Sequence, residues 1–453
     1  MAQQQEHPSF SSRIGFILVT AGAAVGLGNV WSFTYVAGKN GGGGFMLIYL
    51  LTLIVIATPV FMAELLLGRM GKASPTTALK NLQQSVGSKL PWRLPAWLGL
   101  ASTILILSFY CVIAGQVMAY GFEALQGGFA GWSPDQVAAL DKSFKAGAIE
   151  PSLWAAGFMA LSAFIVSAGV RGGLERTSRY LMPALFAMLV GLVIYAGIKG
   201  DFDRAVSFLF GFNEMKFSPS IFMEAVGQAF FTLSVGVGGI MIYGSYMGKD
   251  VNLPKATLWI VTMDLLVALL AGMAIFPLLF AHNMDPAVGP GLVFVTLPLV
   301  FSEIPGGAAV AFIFFLLLTF AAITSSIALM SPATQRLIEA GWSRAKAAWL
   351  VAGLGFSLSI FTTLSFNEWK EFYPLAALGL DHHTFFDLIR EGVNNIVLPF
   401  GGLAFALMIG WGLKRADVQA SLPMSDGGLF SLWYGILKFL VPVAIVALFI
   451  SVI

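Results

Sequence analysis

The chain has 453 residues, 58% of them hydrophobic and only 11% charged, with a formal net charge of +2. A soluble domain carries about 25% charged residues, so that class is excluded, and the near-neutral balance argues against nucleic acid or another anionic polymer as partner. Four histidines and one cysteine, Cys111, supply no metal cluster, no nucleophile–base arrangement and no intrachain disulfide; Asp381-His382-His383, their one local group, reads as a solvated turn.

A membrane-spanning helix needs about 20 apolar residues. Eleven such windows follow one another, at about 14–38, 43–70, 94–125, 151–169, 178–198, 221–247, 254–281, 308–336, 346–364, 386–412 and 430–452. No hydrophilic stretch is long enough for a second domain, so residues 1–453 are expected to form one transmembrane domain. The polar start MAQQQEHPSF leads into the first window without a small-residue cleavage site, and that span is expected to stay. Basic residues set the orientation. Arg69, Lys72, Lys80, Lys89 and Arg93 follow the second window, and Arg171, Arg176 and Arg179 follow the fourth, which puts those loops and the N-terminus in the cytoplasm and the C-terminus outside.

Polar residues inside the windows carry the functional signal. The first window holds Gly22, Gly26, Gly28, Asn29 and Ser32 within AGAAVGLGNVWSFTYVAGKNGGGGF, where glycine serves either close helix packing or a break in the helix that lines a cavity. The sixth holds Val235-Gly236-Val237-Gly238, which echoes Val25-Gly26-Leu27-Gly28. Matched breaks opening two five-helix halves point to an inverted-repeat transporter with its site near the bilayer midplane. In the seventh, Asp264 is a carboxylate among apolar neighbours, expected to face a cation, a proton path or a polar cavity unless it snorkels toward Lys255. In the eighth, Thr324, Ser325 and Ser326 either bond back to their own helix or serve a site.

Taken together, AVGLGNVW, NGGGGF, Glu64 in AELLLGRMG, QAFFTLSVGVG, AITSSIALM and LPFGG resemble the neurotransmitter:sodium symporters in their bacterial amino-acid branch, over nearly the whole chain. The resemblance implies an all-α membrane protein of 11 transmembrane helices. Two inverted five-helix repeats, about 14–198 and 221–412, have their first helices unwound at the centre, and an eleventh helix at about 430–452 follows. It implies sodium-coupled import of neutral, hydrophobic or aromatic L-amino acids by alternating access in the inner (plasma) membrane. Two sodium ions, no organic cofactor and no obligate protein partner are expected. A sodium-dependent sensor or a channel on the same fold is the alternative; a membrane enzyme is not expected.

Carried onto this chain, the first sodium site uses the Ala24 carbonyl, Asn29, Thr232 and Asp264. The second uses carbonyls of Gly22, Val25 and Ala321 with hydroxyls of Thr324 and Ser325. The substrate pocket comprises Ala23, Ala24, Gly26, Ile106, Tyr110, Phe231, Thr232, Ser234, Val237, Ser325 and Leu329. Gly26, an aspartate in monoamine carriers, leaves room for the substrate's own carboxylate. Asp264 stands where chloride-dependent relatives commonly have asparagine, which implies chloride independence and allows proton countertransport. Tyr110 and Phe231 are expected to close the outer side, because Ser32 and Arg390 replace the family's salt bridge. On the inner side His7 or Arg13 is expected to pair with Glu339; Tyr246 belongs to this gating set, and Gly173 with Pro183 matches a Gly-x9-Pro pattern linked to unwinding of helix five.

Overall fold

The computed structural model describes residues 9–211, 218–248, 250–286, 289–380, 382–422, 424 and 427–452, all-helical with no strand among them. The elements corresponding to the eleven windows are labelled α1–α11. Among the described residues nine are helices long and apolar enough to cross a membrane: α2 (Gly43–Gly71), α3 (Arg93–Leu125), α4 (Ile149–Ser167), α5 (Val170–Lys199), α7 (Leu253–Ala281), α8 (Gly307–Glu339), α9 (Arg344–Ser365), α10 (Phe385–Gly412) and α11 (Gly427–Ile450). The other two are broken. α1 runs Arg13–Ala24 and Gly28–Lys39 with a 52° bend, and as a pair it also spans. α6 runs Pro219–Thr232 and Gly239–Ser245, and the unwound 233–238 leaves neither piece long enough by itself.

Local chemistry sets the boundaries. Ser12, Asn252 and Ser343 accept the N–H groups of Gly15, Lys255 and Lys346 and so cap α1, α7 and α9. The α6 break needs three residues at positive φ, Ser234 (53°), Gly236 (102°) and Gly238 (80°). Glycine at 236 is demanded twice, since a Cβ there would lie 2.1 Å from the Leu398 carbonyl oxygen. From the opposite side, a Cβ on Gly401 of the LPFGG motif would lie 1.7 Å from the Gly236 carbonyl oxygen. The motif is thus a backbone-to-backbone contact that seats the break of α6 on α10.

The packing repeats with the two halves exchanged. α2 contacts both pieces of α6, and α7 contacts both pieces of α1; α3 packs on α8 and α4 on α9. This exchange places both breaks at the centre of the bundle, between α3 and α8. In α5 the first turn, Val170–Glu175, is a π-helical turn, and Pro183 lies inside the continuing helix. Gly173 is required where it stands, because a Cβ would lie 1.9 Å from the Ile165 carbonyl oxygen of α4.

Candidate substrate and ion site

Between the two breaks lies a cavity lined by Ala24, Gly26, Leu27, Gly28, Ile106, Tyr110, Phe231, Thr232, Ser234, Val237, Ser325, Leu329 and Leu398. Ten of the eleven residues expected to form the pocket are on this wall. Ala23 is not: it is buried behind the wall, and its carbonyl accepts the Ser234 hydroxyl at 3.3 Å. That bond joins the two breaks and supports the left-handed backbone of Ser234, a conformation costly for a non-glycine residue. Leu27, Gly28 and Leu398 also line it, beyond the residues the motifs imply; Leu398 is the first residue of LPFGG.

The walls are apolar except at one end. There the Tyr110 hydroxyl is buried with no hydrogen-bond partner among the described residues, beside Gly26. A Cβ on Gly26 would lie 2.5 Å from Ser325 Oγ and 3.5 Å from the Tyr110 hydroxyl oxygen, so its missing side chain is what keeps this polar corner open. No Lys, Arg, Asp or Glu lines the cavity.

Two clusters of oxygen atoms flank it. In the first, Asn29 Nδ2 donates to Asp264 Oδ1 at 2.7 Å and to Thr232 Oγ1 at 2.8 Å, while Asn29 Oδ1 accepts the Gly26 N–H at 2.9 Å. The Thr232 hydroxyl donates to the Asp264 carboxylate at 3.1 Å. Asp264 is fully buried and does not snorkel, and none of the ion pairs among the described residues includes it. A buried carboxylate costs several kcal/mol unless a cation accompanies it, and two neutral hydrogen-bonding partners offset only part of that. The Tyr49 hydroxyl of α2 faces the same cluster.

In the second cluster Ser325 Oγ donates to the Val25 carbonyl at 3.3 Å, and the Thr324 hydroxyl bonds back to the Ala321 carbonyl at 3.0 Å. A Cβ on Gly22 would lie 3.1 Å from Thr324 Cβ, so the end of the first half of α1 rests directly on α8. The helix-internal bond of Thr324 and the gathering of Gly22, Val25, Ala321, Thr324 and Ser325 thus coexist. Ser326 faces elsewhere, to Ser162 of α4 at 2.7 Å. Both clusters consist of carbonyl, hydroxyl, amide and carboxylate oxygens, the donor set a hard cation takes. Among the described residues no group of three or more His, Cys, Asp and Glu offers a transition-metal site.

Glu64 on α2 completes the framework. It is fully buried and accepts the backbone N–H of Gly236 (2.9 Å), Ile240 (3.2 Å) and Met241 (3.3 Å), holding the donors that the break in α6 leaves unpaired. Hydrogen bonds to a charged acceptor contribute about 1.5–3 kcal/mol each. Glu64→Gln, which offers one acceptor oxygen and turns an N–H₂ toward N–H donors, is expected to lower the melting temperature of the purified protein clearly below that of wild type. An unchanged melting curve would show that the carboxylate does not brace α6.

This arrangement is similar to known proteins along its full length. The family model described as the sodium:neurotransmitter symporter family matches residues 7–137 and 132–367. The chain belongs to that family. A sodium-dependent transporter of Bacillus subtilis (strain 168), YhdH, is 34% identical over 99% of this chain and 98% of its own. A sodium-dependent transporter of Haemophilus influenzae is 30% identical over the same shares. The crystal structure of MhsT in complex with L-phenylalanine matches with a TM-score of 0.89 at 36% identity, covering 98% of this chain and 100% of that one. The rat sodium-dependent neutral amino acid transporter B(0)AT2 is 26% identical over 60% of this chain and 41% of its own. The protein is therefore a multi-pass, sodium-dependent membrane transporter with two broken helices at its centre, not an enzyme.

The symporter's gates differ from expectation on the basic side. Glu339 accepts the Ser74 N–H and the hydroxyls of Ser74 and Thr77, each at 2.6 Å, and so caps the Pro75–Ser85 helix rather than pairing with Arg13. Arg13 makes no ion pair among the described residues, and His7 lies outside them. The chain before α1 is instead held by Glu175, which accepts the N–H and hydroxyl of Ser11 and pairs with Arg179 at 3.0 Å. Phe10 adds a ring contact to Tyr246, whose hydroxyl donates to Gln335 at 3.0 Å. On the opposite side, Phe231 and Tyr110 form the wall shared with a second cavity that Trp31, Ser32, Arg390 and Asn394 also line. Ser32 donates to Gln228 at 2.7 Å and Arg390 pairs with its neighbour Glu391, so no ion pair joins positions 32 and 390. Lys39 and Glu224, 2.7 Å apart, link the second piece of α1 to the first piece of α6.

Proposed function

We propose that this transporter imports neutral, hydrophobic or aromatic L-amino acids together with two sodium ions by alternating access, in the plasma membrane with its N-terminus cytoplasmic and its C-terminus outside. The whole chain acts as one domain, with repeats at about 14–198 and 221–412 and α11 added. The observation that carries the reading is Asp264: a fully buried carboxylate with no cationic side chain, set among oxygen donors beside an apolar cavity with an open polar corner.

In this reading the first sodium takes the Ala24 carbonyl, Asn29, Thr232 and Asp264, and the second takes the carbonyls of Gly22, Val25 and Ala321 with Thr324 and Ser325. The substrate carboxylate occupies the corner at Gly26, beside the first ion, and accepts the Tyr110 hydroxyl. The ammonium group meets carbonyls of unwound α6 around Phe231, Thr232 and Ser234. The side chain lies against Ile106, Val237, Leu329 and Leu398, surfaces that reward apolar area at about 25 cal/mol per Å² and leave a charged group unpaired. Phenylalanine bound to MhsT and the neutral amino acids named for B(0)AT2 support this substrate class.

Alternation moves the access path from one side of the site to the other. Phe231 and Tyr110 cover the substrate from outside, since Ser32 and Arg390 form no salt bridge above it. The Ser11–Glu175 and Phe10–Tyr246 contacts hold the inner half of α1 closed. Displacing that half removes the Gly22 and Val25 carbonyls from Thr324 and Ser325, so release of the second sodium accompanies inward opening.

Equilibrium binding of radiolabelled phenylalanine to the purified protein, with and without sodium, tests the reading. Sodium-dependent binding displaced by leucine, isoleucine and tryptophan but not by glutamate or lysine is expected; displacement by the charged amino acids would overturn the assignment of the pocket. Asp264 supplies a fixed negative charge, so transport is expected to persist when chloride is replaced by gluconate. Strict loss of uptake under that exchange would contradict chloride independence.

A further inference from the structure

The turn from α4 into α5 gathers positive charge that nothing in the transport site uses. Gly169, at φ +89°, reverses the chain, and Arg171, Arg176 and Arg179 follow within nine residues. With Ser11, Glu175 and Tyr180 they line a polar cavity at the end of α5. Glu175 is its one acid, only 2% exposed and already engaged by Ser11 and Arg179. Arg171 bonds only neutral atoms, donating from Nε to the Ser9 carbonyl at 3.0 Å and from Nη2 to Ser9 Oγ at 3.3 Å. The Arg176 side chain forms no hydrogen bond or ion pair among the described residues. Among the described residues, three guanidinium groups against one carboxylate leave two positive charges uncompensated around the cavity.

The location narrows what can compensate them. Only 28% of the α5 apolar window is buried, which puts this helix on the bilayer-facing perimeter. Tyr180, one turn beyond Arg176, is 68% exposed, an amphipathic ring suited to the membrane–water boundary. Guanidinium forks match phosphate oxygens, and the free N–H groups at the start of a helix favour negative charge. We propose that the Arg171–Arg176–Arg179 cavity binds the phosphate of an anionic phospholipid of the cytoplasmic leaflet. Arg171 and Arg176 are the primary contacts, because Arg179 is committed to Glu175, and the acyl chains run along the exposed face of α5. The bound phosphate also ties the α4–α5 turn to the segment before α1, through the Ser9 contacts of Arg171 and the Ser11 contact of Glu175. The orientation of α5 follows the topology proposed above; the lipid contact itself is independent of the substrate assignment.

Native mass spectrometry of the full chain, released from micelles doped equally with phosphatidylglycerol and phosphatidylcholine, tests the proposal. Wild type is expected to retain phosphatidylglycerol over phosphatidylcholine by about fivefold or more, the effect of one base at a charged surface. Arg171→Gln/Arg176→Gln is expected to bring the ratio near one. Lys80→Gln/Lys89→Gln, which removes equal charge from another cytoplasmic segment, is expected to keep the preference. If the arginine double variant has a lowered melting temperature, Arg176→Gln alone, which breaks no side-chain hydrogen bond or ion pair among the described residues, provides the comparison. Equal retention of both lipids by wild type, or the same loss in both charge variants, would overturn the proposal. Release of phosphatidylglycerol by millimolar glycerol 3-phosphate would also overturn it, by assigning the cavity to soluble phosphates.

Discussion

Asp264→Asn is expected to raise the sodium concentration for half-maximal substrate binding by about 100-fold or more. Asparagine has nearly the same shape and retains an oxygen for the amide of Asn29, which donates to Asp264 Oδ1 at 2.7 Å, so the local packing survives. What disappears is the negative charge facing the cation. Removing one partner of a buried ion pair costs about 3–5 kcal/mol, and each 1.4 kcal/mol is a factor of ten. Sodium titration of substrate binding measures the shift directly. A variant with the wild-type half-saturation value would mean that Asp264 does not face sodium.

Gly26→Ala is expected to weaken substrate binding by a similar factor, for a different reason. Gly26 is not among the glycines at positive φ, so alanine suits its backbone and the penalty comes from space. The new methyl would sit 2.5 Å from Ser325 Oγ and 3.5 Å from the Tyr110 hydroxyl, in the corner assigned to the carboxylate. Overpacking costs about 1–3 kcal/mol, and a lost hydrogen bond to a charged group adds about 1.5–3. Turning Ser325 aside would also disturb its 3.3 Å bond to the Val25 carbonyl, and with it the second ion cluster. Gly26→Ala/Ser325→Ala removes the crowded oxygen, so the double variant is expected to lose less substrate affinity than the sum of the single changes. Strict additivity would show that the two positions do not meet.

The eleven windows were legible because apolar runs bounded by charge follow from the bilayer's thickness alone, and the observed helices begin and end within three residues of them, except that α5 starts at Val170, eight residues before its window. Both breaks were legible from glycine: Gly236 and Gly238 adopt backbone angles that other residues avoid, while at Gly22, Gly26 and Gly28 a Cβ would crowd Thr324, Ser325 and Phe231. Asp264 announced itself as a carboxylate in an apolar run. The partners of long-range contacts were not legible. Nothing in AELLLGRMG says that Glu64 turns toward the N–H groups of α6, and Leu398 reaches the cavity only because Gly236 and Gly401 let α6 and α10 touch. Of the two expected partners of Glu339, His7 lies outside the described residues and Arg13 does not pair with it, for the same reason. Glu339 and Arg13 have complementary charges, yet Ser74 and Thr77 at a helix start take the carboxylate instead. Of the neighbours Ala23 and Ala24, both expected in the pocket, only Ala24 lines it, because the Ala23 carbonyl is turned to the Ser234 hydroxyl.

Coupled transport itself is tested most directly in proteoliposomes that contain the purified protein, with radiolabelled phenylalanine outside and either an inward sodium gradient or potassium in its place. The account predicts accumulation above the external concentration with sodium, saturating with substrate and collapsing when the gradient is dissipated, and none with potassium. Sodium-dependent binding without accumulation, or a substrate-independent conductance, would contradict it and assign the site to a sensor or a channel.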